Sequence, residues 1–134
     1  MVDDLEGATA FFVELGLERQ GGGSVEGDWV DRIVGLDGIL VDGAMLQTAD
    51  GHGRLELVKF RNPTSPDGDR HAPANVPGLR HVAFQVDDID ATVADLRARG
   101  GQLIGEVEQY QDVYRLCYVR GPAGIIVALA EELG

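Results

Sequence analysis

The strongest constraint on the fold of this chain is an internal repeat. Val2-Asp3-Asp4-Leu5-Glu6 recurs 84 positions later as Val86-Asp87-Asp88-Ile89-Asp90. Each copy is followed by apolar residues at helical spacing; these are Leu5, Ala8, Phe12 and Leu15 in the first copy and Ile89, Val93 and Leu96 in the second. The repeat therefore predicts two copies of one module, each containing a helix of about ten residues.

The residues at the ends of the two repeats predict where these helices begin and end. Asp3 with Glu6, and Asp87 with Asp90, have the spacing of a side-chain cap followed by an acid in the first turn. Gly16 and Gly100 lie where C-terminal glycines end helices.

Short β-prone runs follow each helix. They cover 17–21, 44–48 and 54–60 in the first copy, and 102–105, 105–110, 114–120 and 125–130 in the second. The second copy also has a strand before its helix, over 79–86, whose alternation places His81 on the face opposite Val82 and Phe84. We therefore predict β-α-β-β-β for the second module and the same module without its first strand for the first.

A polar stretch rich in proline separates the two copies. Residues 63–78 contain four of the five prolines of the chain, which is typical of a linker. We expect the first module over 1–62, the linker over 63–78 and the second module over 79–134, together forming one domain.

Charge and composition narrow the classes of function. The net charge is −12, so nucleic acid is not expected as a partner, because phosphate binding needs a basic face. No apolar run approaches the ~20 residues that span a bilayer, and the acidic N-terminus is not that of a signal peptide. Cys117, the single cysteine, lies in an apolar run and is expected to be an inert buried thiol in a reducing compartment. These features predict a cytoplasmic protein.

Three segments resemble a known family. Residues 78–132, GLRHVAFQVDDIDATVADLRARGGQLIGEVEQYQDVYRLCYVRGPAGIIVALAEE, resemble the second module of the glyoxalase/bleomycin-resistance/extradiol-dioxygenase family, the vicinal-oxygen-chelate superfamily. VDDLEGATAFFVELGLE and GRLELVKF resemble parts of the first module. The resemblance implies an α+β fold in which two βαβββ modules form a half-open barrel around a cleft, the first of them here lacking its first strand.

The resemblance also implies four metal ligands, from the first and last strands of the two modules. The second ligand falls on Glu56 and the third on His81, whereas Ala128 occupies the fourth position and the first has no counterpart. With two of four ligands, one divalent ion (Zn, Ni, Fe or Mn) is expected to bind weakly.

Several residues are candidates for a site. Glu56 is the candidate catalytic carboxylate, with an ion pair to Arg54 or Arg80 as its structural alternative. His81 is either a metal ligand or a core histidine with its hydrogen bonds satisfied. The candidate substrate contacts are Arg54, Trp29, Tyr114 and Tyr118. The two tyrosines could instead serve packing, and Trp29, in a connection rich in Gly and Asp, could be a lid or a hydrophobic plug.

Two functions of different classes fit these residues. The first is a metal-dependent enzyme of the lyase, isomerase or dioxygenase type, acting on a small molecule in the cleft; Glu56 and His81 favour it. The second is a metal-independent protein that binds a small molecule or drug, as bleomycin-resistance relatives do; Ala128 favours it. In either case the absent first strand leaves an open sheet edge, so a homodimer is expected.

Overall fold

The computed structural model describes residues 1–134, which divide into two compact units, Met1–Gly68 and Asp69–Gly134. The boundary falls inside the proline-rich stretch over 63–78. Each unit combines helix and sheet, as an α+β fold requires. None of the helices is long and apolar enough to cross a membrane.

The first unit is a three-stranded antiparallel sheet with one covering helix. Its elements are α1 (Leu5–Glu14), β1 (Glu18–Glu26), α2 (Asp28–Val34), β2 (Leu40–Gln47) and β3 (Arg54–Asn62), with strand order β1-β2-β3. Helix α1 lies against all three strands. It buries Phe11 and Phe12 in a core that includes Leu46 and Leu57. Each such side chain contributes about 1.5–3 kcal/mol when fully buried.

The second unit has the predicted β-α-β-β-β order. Its elements are β4 (His81–Val86), α3 (Ile89–Ala98), β5 (Gln102–Tyr110), β6 (Tyr114–Arg120) and β7 (Ile126–Glu132), with a 3₁₀ turn at Pro122–Gly124. The strand order is β4-β7-β6-β5; β4 runs parallel to β7 and the other pairs are antiparallel. Helix α3 lies against β5, β6 and β7 and buries Ile89, Val93 and Leu96. His81 is in the first strand and Ala128 in the last, as predicted.

The helix caps correct the sequence prediction by one residue. The N-caps are Asp4 and Asp88, not Asp3 and Asp87. Asp4 Oδ1 accepts from Gly7 N, and Asp88 Oδ1 from Ala91 N, both at 2.9 Å. The helical residues begin at Leu5 and Ile89, so the residue directly before each keeps the extended backbone that a cap needs.

Helix α2 was not expected from the sequence. The Gly- and Asp-rich segment that contains Trp29 was interpreted as a connection, but Asp28–Val34 is helical. Asp31 stabilises the segment beyond it, because its two carboxylate oxygens accept from Gly38 N and Ile39 N at 2.8 Å each. The helix ends at Gly35, whose φ of 78° is left-handed.

Strand β5 also differs from the prediction. The two runs 102–105 and 105–110 form one strand, whose pairing register with β6 shifts between Ile104 and Glu108. Gly105, with φ of 70°, lies in this bulge. Glycine bends the strand there without ending it.

Strand β3 lies at the edge of the first sheet, because no strand pairs with its outer side. The single backbone bond on that side joins Val2 N to Val58 O at 2.8 Å. In the second unit the equivalent last strand, β7, pairs with β4 on that side, and Val86, the repeat counterpart of Val2, ends β4. Residues 1–134 therefore provide no counterpart of β4 in the first sheet, as predicted, and the bond of Val2 occupies the place where such a strand would end.

Polar contacts fasten the helix of the second unit to its sheet. Arg115 donates to Asp90 at 2.8 and 3.0 Å, and Glu131 Oε2 accepts from Ile89 N at 2.8 Å. The hydrogen bond from Arg115 lowers the pKa of Asp90 below its ordinary value. In the first unit Asp42 accepts from Ser24 and Arg61, and these contacts lower the pKa of Asp42.

The position of the α3 cap is open to a direct test. Replacing Asp88 with Ala removes the acceptor for Ala91 N, and we expect a loss of about 1 kcal/mol in the free energy of unfolding. The matched control is Asp87→Ala, which should cost less than about 0.5 kcal/mol because Asp87 makes no capping bond. Urea unfolding followed by circular dichroism measures both variants. A larger loss for Asp87→Ala would contradict the observed cap.

Candidate functional site

Strand pairing determines which side chains share the face of the second sheet opposite α3. Residues paired directly across neighbouring strands point to the same face. Tyr118 pairs with Ala128, which pairs in turn with Ala83 on β4. Leu116 pairs with Ala130, and Tyr110 with Tyr114. Because Val119, Val127 and Leu129 alternate with these residues and are buried, the tyrosines lie on the side away from the core.

Aromatic side chains dominate this open side. Tyr110, Tyr114 and Leu116 are exposed, and Tyr118 is half-buried. The rings of His81 and Tyr118 lie 5.1 Å apart between centroids, tilted by 35°. We call this surface, made of His81, Tyr110, Tyr114, Leu116 and Tyr118, the tyrosine face. It unites three residues predicted from the sequence: His81, Tyr114 and Tyr118.

Small side chains leave room at the centre of the tyrosine face. Ala128 and Ala130 lie on β7, the strand between His81 and the tyrosines of β6, and Ala83 lies on β4 two residues after His81. The rings of His81 and Tyr118 thus meet across β7, next to the alanine that stands where the family resemblance implies a glutamate. A carboxylate at position 128 would occupy space between the two rings. With alanine at position 128, the place of the implied glutamate ligand is an open apolar surface.

The sequence interpretation missed other members of this face. Tyr110, Gln85, Glu108 and Glu132 were not predicted as site residues. Gln85 Nε2 donates to Glu132 Oε2 at 3.3 Å, and Glu108 pairs with Leu116. Alternation within each strand indicates one face of that strand, but the register between strands was needed to bring these residues together.

Arg120 closes one end of the tyrosine face, since it pairs with Ile126 next to His81. Its donors are already used on main-chain carbonyls: Nη1 donates to Arg70 O and Gly124 O at 3.2 Å, and Nη2 to Ala72 O at 3.0 Å. The carboxylates of Glu108 and Glu132 are on the same face. The face therefore offers acceptors and aromatic rings rather than free cationic donors.

Two further candidate site residues, Arg54 and Glu56, lie on a strand of the first unit. Both are exposed on β3, where Glu56 pairs with Met45 on the face opposite Leu57. Glu56 makes no hydrogen bond or ion pair. The ion pair of Glu56 with Arg54 is not observed, while the alternative with Arg80, which belongs to the second unit, stays a prediction.

The side chains that could hold a divalent metal are few. No group of three or more His, Cys, Asp or Glu side chains could hold a metal ion. Glu56 belongs to the first unit and His81 to the second, so their predicted convergence on one ion stays a prediction. His81 has ring contact with Tyr118 and pairs beside apolar residues rather than beside further donors.

Two remaining candidates have clear positions. Trp29 is exposed on α2, so it is not the hydrophobic plug considered above. Cys117 is buried beneath the sheet, and burial raises the pKa of its thiol. A raised pKa disfavours the thiolate, which is the nucleophilic form. Cys117 is therefore a packing residue, as predicted.

Comparison with known proteins places the fold in a family. A sequence profile described as the Glyoxalase/Bleomycin resistance protein/Dioxygenase superfamily matches residues 1–118. The solved structure of a glyoxalase family protein from Bacillus cereus is similar over 99% of this chain and 89% of its own length, with 47% identity and a TM-score of 0.95.

One further solved structure agrees in fold, and one curated protein matches part of the sequence. TnmS3, an antibiotic-binding protein from Streptomyces, matches 98% of this chain and 88% of its own length with 22% identity and a TM-score of 0.59. CFP32 of Mycobacterium bovis, named as a proposed glyoxylase, is 43% identical over 54 residues, which are 40% of this chain. That match spans 21% of CFP32, so it bears on only part of the relative.

The donor set predicts poor metal retention. After incubation with Zn²⁺, Ni²⁺, Mn²⁺ or Fe²⁺ and gel filtration, elemental analysis should find well under about one ion per chain, because two protein ligands hold a divalent ion weakly. His81→Ala should lower any residual occupancy, and Asp87→Ala, which removes an acid that is not one of the two predicted ligands, should not. One tightly held ion per chain would contradict this expectation.

Proposed function

Because the chain belongs to the Glyoxalase/Bleomycin resistance protein/Dioxygenase superfamily, we propose that it uses this fold to bind a small aromatic molecule without a metal. The tyrosine face carries the proposal. It combines three tyrosines, one histidine and one leucine on an open sheet surface with alanines at its centre. Ligand sites are lined mainly by apolar and aromatic side chains with a few polar groups that orient the ligand.

The geometry supports a flat ligand in particular. Tyrosine rings prefer offset stacking or edge-to-face contact with another ring, worth about 0.5–1.5 kcal/mol beyond burial. Tyr114 and Tyr118 are four residues apart on β6, so they present two rings on one side about 13 Å apart along the strand, with Leu116 between them. Ala128 and Ala130 leave the surface between them low enough for a ring system to lie on it.

Charge supports a cationic or neutral ligand over an anionic one. Glu108 and Glu132 supply negative charge at the face, while the donors of Arg120 are engaged by carbonyls. The whole chain carries a net charge of −12, which attracts cations and repels anions at long range. A cation above a tyrosine ring gains a further ~0.5–2 kcal/mol.

One similar structure supports binding as a use of this fold. TnmS3 is described as an antibiotic-binding protein. At 22% identity the likeness shows the fold alone, so the ligand of TnmS3 is not carried over to this chain.

A second candidate is metal-dependent turnover of a small substrate, as in a lyase, isomerase or dioxygenase. The observation that favours it is the free, exposed carboxylate of Glu56, which no hydrogen bond or ion pair explains. A carboxylate in this state is available to move a proton. Stoichiometric metal in the retention experiment would make this the leading function.

We also propose a homodimer in the cytoplasm. The outer edge of β3 has unpaired backbone groups at Glu56 and Val58 N–H, which another strand can pair with. The single buried Cys117 fits a reducing compartment.

Dye binding tests the proposed ligand class. With thioflavin T as a cationic planar probe, Nile red as a neutral one and anilinonaphthalene sulfonate as an anionic one, we expect the order of affinity cationic, neutral, anionic. Tyr118→Ala should weaken thioflavin T binding about tenfold, since one aromatic contact is worth about 1.4 kcal/mol. Fluorescence titration with and without EDTA measures the affinity, which the chelator should not change.

The control for the dye experiment is Val13→Ala, an exposed apolar residue on α1 of the first unit. It should leave the affinity within about twofold. Equal binding by wild type and Tyr118→Ala, or binding that disappears with EDTA, would overturn the proposal.

Light scattering tests the homodimer. At about 50 μM the wild type should have twice the 14.3 kDa mass of one chain, because strand pairing at β3 satisfies several backbone groups at once. Glu56→Pro removes an outward N–H and should give a folded monomer, since proline is tolerated on edge strands. Circular dichroism checks that this variant is folded. A wild-type monomer at this concentration would contradict the dimer.

A further inference from the structure

Helix α2 carries an apolar surface that the core does not use. Trp29 and Ile33, one turn apart, are 55% and 74% exposed, and Val34 and Leu36 are also exposed. Residues four apart lie on the same side of a helix. We call Trp29, Ile33, Val34 and Leu36 the α2 apolar surface. Contiguous exposed apolar residues on a folded protein commonly mark an interaction site.

This surface is held in place by the structure around it. Val30, on the inner side of α2, is buried. The carboxylate of Asp31 accepts from Gly38 N and Ile39 N, and Gly35 N donates to Asp31 O at 2.8 Å. Because these bonds fix both the helix and the segment that follows, the apolar side chains face outward in a defined arrangement.

The hairpin itself does not require α2. In the second unit the corresponding strands β5 and β6 are joined by only residues 111–113, whereas residues 27–39 join β1 and β2. The longer connection adds a helix whose outer side exposes apolar side chains to water, and this exposure does not stabilise the fold. The first module therefore has an apolar surface, on α2, that has no counterpart in the second module.

The charges around the α2 apolar surface favour a basic partner. Residues 26–37 contain four acids, Glu26, Asp28, Asp31 and Asp37, against one base, Arg32. A second copy docked on this surface would bring like charges together, and an anionic membrane or nucleic acid would be repelled. A basic partner complements the acids while its apolar side chains cover Trp29 and Ile33.

We infer that the α2 apolar surface docks a basic amphipathic segment of a partner protein. An apolar stripe flanked by lysine or arginine on such a segment would pack on Trp29 and Ile33 and place its cations beside Glu26 and Asp37. This docking is separate from the tyrosine face and from the β3 edge, which lie on other elements of the chain.

Trp29 reports binding directly, because it is the single tryptophan of the chain. The probe is a synthetic 14-residue amphipathic helix of Leu and Lys, and the controls are a scrambled peptide of the same composition and a Leu/Glu analogue. We expect the amphipathic basic peptide to shift Trp29 emission to the blue and to bind at least about tenfold more tightly than either control. Raising the salt concentration from 50 to 500 mM should weaken binding about tenfold.

Variants separate the apolar and charged contributions. Ile33→Ser should weaken peptide binding about tenfold, the equivalent of about 1.4 kcal/mol, and Glu26→Gln with Asp37→Asn should weaken it and reduce the salt dependence. Val76→Ser, at an exposed apolar residue outside α2, is the matched control and should change nothing. Circular dichroism confirms that the variants fold.

Three results would overturn the inference. They are equal binding of the scrambled or acidic peptide, an unchanged affinity in Ile33→Ser, and a shift of Trp29 emission with protein concentration in the absence of peptide. The last would assign the surface to a second copy. Because α2 packs on β1, at the opposite edge of the sheet from β3, we expect a dimer formed through β3 to leave Trp29 emission unchanged, so the two interactions are distinguishable.

Discussion

The structure depends on one constraint: in each unit a single helix covers one face of a sheet whose side chains alternate strictly between two faces. Once Ile89, Val93 and Leu96 of α3 bury against Val127 and Leu129, every second residue of the paired strands must point away from the core. The position of the tyrosine face follows from this burial. A slip of one residue would exchange the core and the candidate site.

The two units keep this arrangement with different polar chemistry. The cross-strand pair Arg115 and Glu131 in the second unit corresponds to Asp42 and Lys59 in the first, with the charges exchanged. In the second unit Glu131 also accepts from the first helical N–H, at Ile89, a contact that a lysine cannot make. The repeat is therefore conserved in backbone and apolar pattern, while the ionic contacts have diverged.

The repeat and the periodicity were sufficient to predict both main helices and the order of strands. They did not predict features that depend on the backbone conformation or hydrogen bonds of a single residue. Asp3 and Asp4 are equivalent in composition, and only the backbone at the helix start makes Asp4 the cap. Helix α2 is seven residues long and begins among glycine and aspartate, so its formation depends on tertiary bonds to Asp31 rather than on propensity. The tyrosine face could not be predicted because it depends on the pairing register between strands, which the sequence of a single strand does not specify.

The last strands of the two units hold equivalent positions but differ in mechanical support. Strand β7 has a full ladder on each side, from β4 and from β6, whereas β3 has one ladder and the single bond from Val2. Amide protons along β7 exchange with solvent only when neighbouring strands separate, while the outward amides of β3 have no ladder within one chain and depend on pairing with a second copy for protection. The last strands of the two units therefore differ in their local opening free energy.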